Sequence, residues 1–209
     1  MTHEHEHEHE HDDHDHEHEH EHRTYTEADY VEDVEDFRAR KDDYFRSAPE
    51  SPIPKDEREA FDALPYYPVD PSLRFEDLTL EPYTGDEPET FQIPTSDGQL
   101  RPAHRAGTLA FELEGEPRRL TGYTFDDGHS HSIFVPFLDA TSGRETYGAG
   151  RYLDIEPEED GTYTLDFNLA YHPSCVYDER FSCPLTPPEN RLPVPIEAGE
   201  RLLADLGDS

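Results

Sequence analysis

The chain has 209 residues, 17 basic against 51 acidic side chains, and a formal charge of −34. A charge of that size repels phosphate backbones and anionic headgroups, which argues against nucleic acid and membrane as partners. No run approaches the ~20 apolar residues that a spanning helix needs.

Residues 3 to 22 alternate imidazole with carboxylate. His3, His5, His7, His9 and His11 interleave with glutamates, Asp12-Asp13 shifts the phase, and His14, His16, His18, His20 and His22 resume it. In an extended chain successive side chains point to opposite sides, so each histidine set lines one side. Neutral imidazole is the commonest protein ligand for Zn, Ni, Co and Cu. The neighbouring carboxylates favour the protonated ring, which makes uptake pH-dependent and proton-releasing. With no apolar group to bury, residues 1–23 are expected to be a disordered tail that binds several divalent transition ions in several geometries. Three readings compete: physiological metal buffering or delivery, a solubility tail that binds metal only incidentally, and a purification handle, against which the Asp12-Asp13 break argues.

Residues 24–209 are expected to form a single globular domain. Residues 24–47 lack Pro and Gly and read as a helix, with Thr26 and Asp29 as a capping box. Tyr30, Val34, Phe37, Lys41 and Tyr44 follow helical spacing and define its expected apolar stripe. Pro49, Pro52 and Pro54 end it, and a short helix is expected from Asp56 to Leu64. From Leu73 the pattern turns to short runs separated by Gly, Pro and Asp, with strands expected at 73–81, 90–93, 107–114, 119–125, 132–137, 151–156 and 162–168. Thr108–Leu113 and Thr162–Phe167 show the two-residue alternation, and Asp127-Gly128 and Asp160-Gly161 read as hairpin turns. The expectation is a mainly β domain, an antiparallel sandwich or barrel of about seven strands over 73–168, with the helix on an outer face or closing one end. The Pro-rich segment 171–195 should be an ordered loop, and a last helix is expected from Ile196 to Leu206.

Function often sits where polar side chains fall among glycines and prolines at strand ends. Asp139, Glu145, Tyr147, Arg151, Asp166, Asn168 and Tyr171 do so, and together they form the candidate ligand site of an enzyme or binding module. Arg151 could grip a small anion bidentately, or a protein partner with the 184–195 loop. The alternative is a buried network in which Arg151 and Asp166 satisfy each other. His172, Cys175 and Cys183 form a His-x2-Cys-x7-Cys pattern whose ligand types suit zinc, with Asp166 or Asp178 to complete four; inert buried thiols or a local disulfide are the other readings. His129 and His131 follow an expected turn, where two exposed histidines can bind metal weakly, and read rather as a solvated hairpin tip. No phosphate loop, dinucleotide-binding turn, nucleophile elbow or His-Glu-x-x-His is present.

Several of these stretches occur together: Phe137-Leu138-Asp139-Ala140-Thr141-Ser142-Gly143, Gly150-Arg151-Tyr152-Leu153, Asp166-Phe167-Asn168-Leu169-Ala170-Tyr171, Cys183-Pro184-Leu185 and Pro188-Glu189-Asn190. With Lys41, Ser51-Pro52 and Tyr66-Tyr67-Pro68 upstream, the chain resembles the domain-of-unknown-function family 1684 (DUF1684) over roughly residues 25 to 205. The resemblance implies a shared fold and brings no activity. Leu138 stands where the family commonly has Arg, His172 replaces its usual Asn, and the His-rich tail is not a general family feature.

Two cysteines in a reducing compartment are more often free or metal-bound than bridged. Lys41 and Lys55 are the only lysines, and −24 of the charge lies beyond residue 22. At molar salt the Debye length falls to ~3 Å and such self-repulsion largely vanishes. The composition therefore points to the cytoplasm of a salt-in halophile.

Overall fold

The computed structural model describes residues 24–126 and 132–202. The His-rich stretch, the Asp127-Gly128 turn, His129, His131 and residues 203–206 lie outside them. The first element, α1 (Glu27–Ser47), starts at the expected capping box: Thr26 Oγ1 accepts from the Asp29 N–H at 3.3 Å, and the Asp29 carboxylate accepts from the Thr26 N–H at 2.9 Å. Its inward stripe differs from the one expected. Tyr30, Val34, Arg38 and Phe45 are buried, whereas Phe37 and Tyr44 are 39% and 45% exposed. Apolar spacing alone favoured the two outer aromatics. The helix is instead rotated so that Arg38 can donate to the backbone carbonyls of Tyr67 and Asn168, with its apolar stem buried.

No helix forms at 56–64. Isolated three-residue turns run through it, and the Arg58 guanidinium donates to the carbonyls of Ile53, Ala48 and Ser51. Between Pro54 and Pro65 the segment is too short for helix propagation to offset nucleation.

Among the described residues eight strands follow in two antiparallel sheets: β1 (Arg74–Leu78), β2 (Leu80–Glu81), β3 (Thr90–Pro94), β4 (Leu100–Leu113), β5 (Glu116–Thr124), β6 (Ile133–Phe137), β7 (Arg151–Ile155) and β8 (Tyr163–Asp166). The larger sheet runs β2-β4-β5-β6-β7, with β3 also on β4; β1 and β8 form the smaller one. The expected strand 73–81 is thus two strands. It changes sheets beyond Asp77, whose φ of 55° breaks the run. Strand β4 is longer than expected because its first half pairs with β3 and its second with β2. Pro102 is tolerated there because pairing with β5 begins only at His104, leaving no ladder partner for a missing N–H. Asp160-Gly161 makes its expected turn, closed by Gly161 N–H to the Glu158 carbonyl at 2.9 Å.

The period-two alternation sorts apolar side chains of the larger sheet into two cores. Leu109, Phe111, Val135, Phe137, Leu153 and Ile155 join Leu165, Phe167 and Ile196 in one cluster. Their chain neighbours Phe134 and Tyr152 face the other way, with Tyr123 and Cys183. The 171–195 loop covers this second face: Leu185 N–H reaches the Pro94 carbonyl at 2.8 Å, and the Tyr152 hydroxyl donates to the Pro184 carbonyl. Among the described residues no helix is long and apolar enough to cross a membrane.

Residues 196–202 are not helical. Their backbone polar groups are taken by partners from across the molecule: Ile196 N–H by Asp139 at 2.7 Å, the Gly199 carbonyl by Tyr67 N–H at 2.9 Å, Glu200 N–H by the Ala170 carbonyl at 2.8 Å, and Leu202 N–H by the Glu145 carbonyl at 2.9 Å. The segment is a strap threaded through the core. Gly199 turns it at a φ of +74°, where a Cβ would stand 2.5 Å from the Ala170 carbonyl oxygen.

Candidate functional site

The expected site residues divide among several places. Arg151 opens β7 opposite Phe137, with Asp139 two residues beyond that partner. Both are buried, Arg151 to 1% exposure and Asp139 to 3%. Arg151 Nη2 donates to Asp139 Oδ2 at 3.1 Å and to the Ile196 carbonyl at 2.7 Å, while Nη1 reaches the carbonyls of Ala198 and Glu200. The other Asp139 oxygen accepts from the hydroxyls of Thr141 and Ser142 at 2.8 and 3.0 Å. Burial pulls the guanidinium below its ordinary pKa, and the Asp139 charge opposes that. Arg151 therefore pairs with Asp139 and not with Asp166: Asp139 and the strap carbonyls take up both terminal nitrogens, while Nε is buried without a partner. It clamps the strap and presents no free donor fork to an anion.

Asp166 and Asn168 form a second buried group. The Tyr30 hydroxyl donates to Asp166 at 2.8 Å, Asn168 N–H donates to Asp166 Oδ1 at 2.9 Å, and the Asn168 amide donates to the Tyr30 hydroxyl and to the Asp70 carbonyl at 2.9 and 2.8 Å. These contacts dock α1 onto the end of β8. Glu145 accepts from the Tyr67 hydroxyl and from Arg201 at 3.1 and 3.3 Å, nearer the surface. Tyr171 donates to Asp154, and its ring lies 4.7 Å from Lys41 Nζ.

A charged hub not anticipated as a unit sits between these groups. Glu200, 1% exposed, pairs with Lys41 Nζ at 2.6 Å and accepts from His172 N–H at 2.6 Å and from the Tyr177 hydroxyl at 3.0 Å. His172 Nε2 accepts the Tyr147 N–H at 3.2 Å, which leaves the ring proton on Nδ1, 3.6 Å from Glu200. That contact is a neutral N–H facing a carboxylate and not an ion pair: burial, reinforced by Arg151 and Lys41, holds the ring pKa down to about 3. The signal in the sequence was Lys41 itself, one of two lysines and set on the buried side of α1. Its partner 159 residues away left no local trace.

The two thiols are free and adjacent. Cys175 N–H donates to Cys183 Sγ at 3.4 Å, and the neighbouring Cys183 thiol pulls the Cys175 thiol below its ordinary pKa. The same contact and burial push Cys183 up. With its Nε2 taken, His172 does not join them. Among the described residues no group of three or more His, Cys, Asp or Glu is placed to hold a metal ion. The expected His172-Cys175-Cys183 set therefore does not assemble, because the ring is turned into the hub.

A family model described as a protein of unknown function (DUF1684) matches residues 59–201. The chain belongs to the DUF1684 family. It is also 40% identical to an uncharacterised protein of the halophilic archaeon Haloarcula marismortui solved by solution NMR; the match covers 84% of this chain and 95% of that one, with a TM-score of 0.62. None of the curated proteins is similar to the chain. The motifs that mark this DUF1684 chain are, in three dimensions, the clamps of the strap and the docking points of α1. Asp139, Arg151, Thr141 and Asn168 owe their positions to packing. Of the candidate residues, Tyr171 lines a pocket of about 270 Å³ with Arg101, Phe134, Tyr152 and Asp154, while Asp166 lines a different groove beside α1. The seven do not converge on one cavity.

Proposed function

We propose that this DUF1684 protein binds divalent transition metals through the histidines at positions 3 to 22, buffering or delivering them, with the β domain as the scaffold that carries the tail. The observation that carries the reading is the alternation of ten imidazoles with ten carboxylates before residue 23. Zn, Ni, Co and Cu are all accepted by such a ligand set. Support comes also from the domain, where the ligand-type side chains His172, Asp139, Asp166 and Glu200 are engaged in internal bonds.

Calorimetry with Ni(II) on the full chain and on a chain lacking residues 1 to 22 tests it. The full chain takes up several ions, uptake weakens as pH falls through the imidazole range near ~6.5, and the shortened chain takes up none with comparable affinity. Equal uptake by both chains overturns the proposal. The reading of Arg151 as an anion-binding residue has no comparable support, since its guanidinium is enclosed by Asp139 and the strap.

A further inference from the structure

We propose that Cys175 and Cys183 form a thiol–disulfide exchange site that takes low-molecular-weight disulfides, with Cys175 attacking and Cys183 resolving. The two thiols differ in how they are held. Cys183 is fixed and 8% exposed: its N–H donates to Ser96 Oγ at 3.0 Å, its carbonyl accepts from Ser96 N–H at 2.8 Å, and the next residue bridges to Thr95 at the end of β3. Cys175 sits on a single 3-10 turn (Ser174–Val176) and is partly open to solvent. Its own N–H points at Cys183 Sγ from 3.4 Å, which sets the two side chains against each other across a short loop.

Ser96 Oγ accepts from the Cys183 N–H at 3.0 Å and donates to the Phe181 carbonyl at 3.3 Å, which fixes the inner cysteine from both sides of its chain. Exposure sorts the roles: Cys175 is the sulfur that a small disulfide can reach, and Cys183 is buried and held in place beside it. The outer sulfur has the access; the inner one has the fixed position.

The exchange balances without any group that the protein lacks. The Cys175 thiolate attacks one sulfur of a small disulfide RSSR, forming a mixed disulfide as RS⁻ leaves. Cys183 then gives up its proton and attacks the Cys175 sulfur, closing the internal bridge and expelling the second RS⁻. The protein loses two protons and two electrons, and RSSR takes them up to become two RSH.

The test uses the full chain, reduced and held with a chelator so that bound metal does not catalyse oxidation. It is mixed with oxidised glutathione, quenched in acid and weighed intact. The wild type should lose two hydrogens and retain no glutathione. Cys183→Ser should retain one glutathione, mapped to Cys175. Brief alkylation of the reduced wild type should label Cys175 at least about tenfold faster than Cys183, as a thiolate outpaces a buried thiol. Because alkylation needs no variant, it decides the matter even if Cys183→Ser misfolds. Stable glutathione on wild-type Cys175 without closure, equal labelling of both thiols, or no reaction overturns the proposal. The chain lacking residues 1 to 22 should exchange as fast as the full chain, so the outcome is independent of the metal-binding reading.

Discussion

Replacing Arg151 by Met separates a structural clamp from a ligand site. The side chain is 1% exposed and its partner Asp139 is 3% exposed, so the pair lies beyond solvent screening. Removing one member of a buried ion pair leaves the other uncompensated and costs about 3–5 kcal/mol. Three strap carbonyls, at Ile196, Ala198 and Glu200, also lose their guanidinium donor, at about 1 kcal/mol for each ordinary hydrogen bond. Together these come to about 6–8 kcal/mol, against a typical domain stability of about 5–15 kcal/mol. Urea unfolding of wild type and variant should show the loss at moderate and at molar KCl alike. Adding Asp139→Asn to the Arg151→Met chain should recover part of it by removing the stranded charge. A loss below about 1 kcal/mol, the value of an exposed pair, would refute the assignment of Arg151 as a clamp.

Two further outcomes can be checked by unfolding. His172 is held neutral in the folded chain with a pKa of about 3, against ~6.5 when unfolded. As pH falls from ~6.5 toward 3 the unfolded chain takes the proton first, so stability is lost in that window. His172→Gln should flatten the decline between pH ~6.5 and 5, and an unchanged slope would mean that the ring is already protonated in the fold. The charge of −34 opposes compaction at low ionic strength, so the thermal midpoint should climb as KCl is raised to molar levels; a midpoint insensitive to salt would refute that account.

The architecture was legible wherever local chemistry decides it. Thr26 and Asp29 announced the start of α1, and the alternation at Thr108–Leu113 and Thr162–Phe167 marked β4 and β8. Reading failed where distant partners override local preference. The β4–β5 turn at Glu114-Gly115 places both residues at positive φ, 56° and 74°, and Glu is not a residue that advertises that conformation. Residues 196–202 carry helix-compatible side chains, yet every backbone group named above is claimed by another element before a helix could form. The candidate site was legible as a set of residues but not as pairs. Arg151 chose Asp139 over Asp166 because of sheet register, and register across a thirteen-residue connection from Phe137 to Arg151 leaves no imprint on spacing.

The Lys41–Glu200 bridge has a consequence for how the molecule comes into being. A nascent chain that has emerged as far as the β8 region already holds an arginine and a histidine meant for the interior and a half-buried lysine, while the strap that accommodates them is still inside the ribosome. Domain closure must then wait for the last segment, and partly synthesised chains should be soft targets for proteases. Loops between residues 41 and 200 must be ordered before that contact rewards them, which makes for slow, late-committing maturation.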